Sequence, residues 1–154
     1  MCMSSHITAE LVGLADFDWL LLDGEHSPNE VPMFLPTVIG HQPDKGWILV
    51  DAGWMAMSRD RGTAKQRVDQ LYGLVCDASG TVYPDLLLAE TNQEQGIIKV
   101  RPGSGAALPE LPLGAKLRIV PNHACATCAQ HDAYEVVRPD SSGVVAHWER
   151  FRGW

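Results

Sequence analysis

From Thr37 onward the sequence is interrupted every few residues. Short aliphatic runs, TVIGH, GWILVDAG, YGLVCD, DLLLAETN, GIIKV, AKLRIV, AYEVV and VVAHW, are separated by Gly, Pro, Asp and Asn. Runs of this length, rich in Val, Ile and Leu and bounded by turn formers, are too short for amphipathic helices and read as strands. Eight such runs predict a mainly β fold, an antiparallel β-barrel or sandwich with short helices. Within it, GTAKQRVDQ (62–70) is the one convincing helix candidate, HACATCAQ suggests a single turn, and PGSGAALPELPLG (102–114) reads as a loop. Ahead of the β region, HITAELVGLA (6–15) suggests a short helix and FDWLLLD (17–23) a buried strand ending in the polar turn GEHSPNE. This pair forms an N-terminal helix–strand appendage.

With 154 residues and 45% hydrophobic content, the chain can bury a real core. Its net charge of -7, with basic residues scattered rather than grouped, argues against nucleic-acid or anionic-membrane surfaces and favours a small-molecule substrate. No stretch reaches the roughly 20 apolar residues that cross a bilayer. The N-terminus lacks the basic start and cleavage site of a secretory signal, so a cytoplasmic protein with reduced thiols is expected.

Chemistry concentrates in PNHACATCAQH (121–131), which holds two of the six histidines and two of the four cysteines. His123 and Cys125 stand two positions apart, and imidazole plus thiolate is a donor pair that suits zinc. Cys128 and His131 extend the pattern to H-x-C-x2-C-x2-H, enough for a closed tetrahedral site if the backbone curls. The two-ligand reading is preferred, because it leaves coordination positions open for water and substrate, as a catalytic metal requires. Two other readings stay open on spacing alone. Cys125 and Cys128 could be small apolar residues on one face of a short helix, or a redox pair. DAGWMAMSRD (51–60) reads as a strand end followed by a turn, with core and turn roles for Asp51 and Ser58. Trp47, Trp54, Trp148 and Trp154 either fill the core or leave an aromatic patch that favours a homo-oligomer.

Residues 35–154 resemble the C-terminal β domain of the fold-type III pyridoxal-phosphate enzymes of the D-threonine aldolase and D-serine dehydratase family. The stretches that carry the resemblance are TVIGHQPDKGWILVDAGWMAMSRDRGTA, YGLVCD, LRIVPNHACATCAQHDAYEVV and the closing WERFRGW. The resemblance implies that P-N-H-x-C supplies a divalent metal beside the cofactor, with His123 and Cys125 as ligands; zinc is the first expectation and manganese the second. Cys128 departs from the small residue expected there, and Gln95 from a frequent histidine. The family's barrel, with its Schiff-base lysine and phosphate loops, is not recognisable: Lys45, Lys65, Lys99 and Lys116 all lie in the β region. Pyridoxal-phosphate catalysis by this chain alone is therefore not expected.

Residues 4–31 are similar instead to the start of metal-dependent class II 2-oxo acid aldolases of the 4-hydroxy-2-oxo-heptanedioate aldolase type, chiefly through FDWLLLDGEHSPN. That resemblance gives His26 a proton-transfer role, against the plain alternative of a solvated polar turn. The expected organisation is an aldolase-like helix–strand fragment (1–34) followed by a D-serine dehydratase-like β domain (35–154). The expected function is a metal-binding β domain with little independent catalysis. The alternatives are a small metal-dependent lyase, using His26 on 2-oxo acids or β-hydroxy amino acids, and a non-catalytic oligomerisation module.

Overall fold

The computed structural model describes residues 33–137 and 143–150. The helix–strand appendage and His26 lie outside these residues, as does Trp154. Each of the eight aliphatic runs contains a strand: β1 (Val38–Gln42), β2 (Trp47–Val50), β3 (Gly73–Cys76), β4 (Val82–Thr91), β5 (Gly96–Val100), β6 (Arg118–Pro121), β7 (Ala133–Val137) and β8 (Val144–Glu149). The first six form one antiparallel sheet in the order β1-β2-β5-β4-β3-β6, and β7 and β8 pair as a separate hairpin.

The expected mainly β fold is present, but no continuous ladder closes the sheet into a barrel. Among the described residues, β1 and the segment leading into it meet β6 and the segment leading into that strand through isolated bridges, Phe34 to Ile119 and Thr37 to Lys116, and through backbone bonds such as Leu117 N to the Pro36 carbonyl oxygen (3.0 Å) and Val38 N to that of Ala115 (2.9 Å).

Strand alternation distributes the core. Val75, Leu86, Leu88, Ile98 and Ile119 pack with Ile48, Val50, Met57 and Leu117 in the main cluster. Their neighbours Leu74, Cys76, Leu87 and Val120 point the other way into a second cluster. Successive residues of a strand face opposite sides, so a strand covered on both faces reads as a continuous apolar run; all four residues of β3 are buried. Gly73 opens that strand at φ 156°, and a Cβ there would lie 2.4 Å from the Val120 carbonyl oxygen, so β3 and β6 approach this closely only through glycine.

Among the described residues two α-helical turns flank the sheet, α1 (Trp54–Met57) and α2 (Ala124–Cys128); the latter is the single turn expected from HACATCAQ. The helix expected over 62–70 does not form; that segment is a chain of turns. Its polar side chains bond to the backbone in place of a helical ladder. The Thr63 hydroxyl accepts from Gln70 N (2.9 Å) and donates to Asp69 Oδ1 (2.9 Å), and Asp69 Oδ1 also accepts from Leu71 N (2.9 Å). Ser, Thr, Asn and Asp offer the backbone this alternative wherever tertiary contacts reward it. The loop expected over 102–114 is observed, with Leu108 and Leu111 packed on the main core.

Trp47, Trp54 and Trp148 are half-buried, so they neither fill the core nor stand free. Lys45 and Lys99 lie 4.6 Å and 4.7 Å from the Trp47 ring centroid, and Arg59 lies 5.8 Å from that of Trp54. Among the described residues no helix is long and apolar enough to cross a membrane.

Two carboxylates tie loops to acid stability. For both Asp77 and Asp69, burial alone would raise the pKa, but hydrogen bonds to the charged form outweigh it and hold each below the ordinary 3.8. Asp77 accepts from Ser79 N and Thr81 N, and Asp69 from Leu71 N and Thr63 with Arg61 beside it. A depressed carboxyl pKa means that the unfolded chain binds protons first. The stabilisation is therefore complete at neutral pH and is lost as the pH falls from about 4 through the folded values. Urea midpoints measured from pH 6 down to pH 2 are expected to fall less steeply for Asp77→Asn than for the wild type. Identical slopes would remove Asp77 from this account.

Candidate metal centre

β6 delivers the chain to Asn122 and His123, and α2 follows at once. His123 stands at the N-cap position in an extended conformation (φ -126°, ψ 96°), and Cys125 is the second residue of the turn. Both are exposed, whereas Cys128 is buried at 5%. The two cysteines are thus not one apolar face. Cys76, entirely buried in the sheet, has its thiol pushed up to about 12, mainly by burial and then by the charge of Asp77, and is no candidate ligand.

His131 is engaged in structure. Its Nε2 lies 2.8 Å from the Ala56 carbonyl oxygen, to which only an N–H can donate, and its ring stacks on Phe34 at 5.5 Å. The four residues of H-x-C-x2-C-x2-H therefore do not gather as a closed site. Among the described residues no group of three or more His, Cys, Asp or Glu is placed to hold a metal. Of the four, His123 and Cys125 present an imidazole and a thiol exposed on one turn. That donor chemistry fits a zinc-like cation keeping open positions.

The loop after α1 packs against this turn. Thr127 Oγ1 donates to the Met57 carbonyl oxygen, joining α2 to the end of α1. Beyond it, His123 Nδ1 meets Asp60 Oδ2 at 2.7 Å across 63 positions of sequence. Sequence reading did not single out Asp60, and no spacing rule could have found a partner so remote. Asn122 anchors the same loop: its amide nitrogen donates to Thr63 Oγ1 (2.7 Å) and to the Leu71 carbonyl, while its oxygen accepts from Thr63 N (3.1 Å).

Ser58 sits at φ 100°, ψ 166°, a conformation normally left to glycine. Asp51 uses Oδ1 to accept from Thr37 N, tying the residue after β2 to the residue before β1 at the open end of that hairpin. Gln95 lies in the β4–β5 turn, where its carbonyl oxygen accepts from Asn92 N (2.8 Å).

Comparison with known proteins follows the same outline. Residues 33–137 match the family described as "Putative serine dehydratase domain". Over 122 residues the chain is 57% identical to the D-threo-3-hydroxyaspartate dehydratase of Delftia sp. (strain HT23), covering 78% of this chain and 32% of that enzyme. It is 33% identical over 121 residues to the D-serine dehydratase of Dictyostelium discoideum, covering 74% and 30%. The chain thus spans about a third of the length of these relatives. Over 37 residues the chain is also 51% identical to the 5-keto-4-deoxy-D-glucarate aldolase of Enterobacter sp. (strain 638), covering 24% of this chain and 14% of that one.

The Delftia sp. HT23 dehydratase structure superposes with a TM-score of 0.70 at 54% identity, covering 79% of this chain and 32% of that one. Solved forms of a D-threo-3-hydroxyaspartate dehydratase include one with a histidine replaced by alanine and another with a cysteine two positions further on replaced, the latter metal-free. A D-threonine aldolase from Filomicrobium marinum, 23% identical, shares the fold at a TM-score of 0.54, covering 82% and 28%.

Proposed function

The chain belongs to the serine dehydratase domain family, and from that premise we propose that residues 35–154 are a metal-binding β domain of a lyase of dehydratase type. His123 and Cys125 supply imidazole and thiolate to one divalent cation, zinc first and manganese second. The observation that carries this reading is a coincidence of spacing. H-x-C occurs once in the chain, at 123–125. A histidine and a cysteine two positions apart are also the replaced residues of the related dehydratase, whose cysteine variant is metal-free. Exposure of both side chains on one turn supports the same reading.

A cation bound there would supply Lewis acidity toward the hydroxyl of a β-hydroxy amino acid. His123 and Cys125 would hold it at the surface of the domain, where substrate can reach the open positions. The dehydratase activity of the relatives is proposed only for an assembly that includes the counterpart of their remaining length. For the β domain alone we assign no pyridoxal phosphate and little independent catalysis. The aldolase-like residues before position 35 stay a proposed appendage in which His26 is the candidate base.

Elemental analysis tests the assignment. Purified chain, loaded with zinc and dialysed, is expected to retain about one equivalent, and His123→Ala and Cys125→Ser to lose most of it. Both side chains are exposed, so neither substitution should disturb the core. Equal zinc in wild type and His123→Ala would overturn the proposal.

A further inference from the structure

We propose that Asp60 is a positioning residue: it fixes the ring of His123 and directs Nε2 outward as the metal-binding atom. The inference rests on His123 being a ligand, as proposed above. A carboxylate only accepts hydrogen bonds, so the contact at 2.7 Å places the proton of the neutral ring on Nδ1. Nε2 then carries the lone pair, and it makes no hydrogen bond among the described residues. Metal-bound histidines commonly hold their second nitrogen in this manner, which sets the tautomer and raises ligand basicity.

Asp60 is placed there by an anchored loop rather than by chance. Ser58, in its strained conformation, is held by a bond from its N to the Trp54 carbonyl oxygen (3.0 Å) and accepts at Oγ from Asp60 N (3.3 Å). On one side the loop is tied to α2 through Thr127 and Met57, and on the other to β6 through Thr63 and Asn122. Those ties flank His123 in sequence on both sides. The pair itself is open to solvent, with 45% of the His123 side chain and 59% of the Asp60 side chain exposed. Exposed polar pairs of this kind add little to folding stability, so the geometry is better accounted for by what it does to the imidazole.

Two readouts test the role. The first needs no metal: 15N NMR of the histidine ring nitrogens is expected to show His123 protonated at Nδ1 in the wild type. In Asp60→Ala the ring should revert to the Nε2–H form that free histidine favours, and Asp60→Asn, which keeps an acceptor oxygen, should restore the first pattern. The second readout is zinc affinity by competition with a chromophoric chelator, expected to be about 10- to 100-fold weaker in Asp60→Ala. The melting temperature should stay within about 3 °C of wild type, as befits an exposed pair. A wild-type tautomer in Asp60→Ala, or zinc affinity within twofold of wild type while His123→Ala loses zinc, would overturn the positioning role and leave the metal site standing. Undiminished zinc in His123→Ala would remove the metal site itself, and this inference with it.

Discussion

Asn122→Ala is expected to lower the free energy of unfolding by about 2–4 kcal/mol, since each buried polar group left without a partner costs roughly 1–3. The Asn122 amide serves the Thr63 N–H, the Thr63 hydroxyl and the Leu71 carbonyl at once, and Thr63 is only 2% exposed. Water cannot easily take over these bonds. The loop that carries Asp60 also loses its tie to β6, so zinc binding should weaken together with stability. Urea unfolding measures the first effect and chelator competition the second. A loss below about 1 kcal/mol would show that the loop holds without the amide. A double-mutant cycle with Thr63→Ala should return a coupling energy of about 1 kcal/mol or more, because the two side chains share their bonds.

Ile98→Ala should cost about 2–5 kcal/mol, the range for truncating a buried aliphatic side chain where the core relaxes only in part. Ile98 is fully buried on β5, opposite Ile48 on β2 and Leu88 on β4, so no loop can collapse into the space. Here the prediction for the metal is the reverse. Zinc affinity, measured well below the melting transition, should match wild type, because Ile98 lies inside the sheet on β5, between β2 and β4, and not on the turn or loop that carries His123 and Asp60. Destabilisation under 1 kcal/mol would mean that the core repacks freely. Taken together, the two variants separate what holds the sheet from what aims the site.

Much of the fold was legible in the sequence because its signals are local. Aliphatic runs bounded by Gly, Pro, Asp and Asn gave all eight strands, although β4 starts at Val82, ahead of the DLLLAETN run. The helix expected over 62–70 failed because helical propensity is a weak bias. Thr63, Asp69 and Asn122 gave that backbone a set of side-chain bonds that no local window could display. Separation of Cys125 from Cys128 was likewise undecided by spacing. In a single turn, exposure depends on what packs beside it, and only Cys128 lies in contact with the buried interior.

By itself, then, the sequence determined the strand content, the loop over 102–114 and the pairing of an imidazole with a thiol two positions on, since each of these is written in consecutive residues. Tertiary structure alone decided that the sheet meets itself through bridges rather than a closed ladder, that His131 is spent on the Ala56 carbonyl, and that Asp60 stands against His123. Contacts across 63 or 75 positions exist only once the core has brought α1 and α2 together, and no pattern along the chain encodes them.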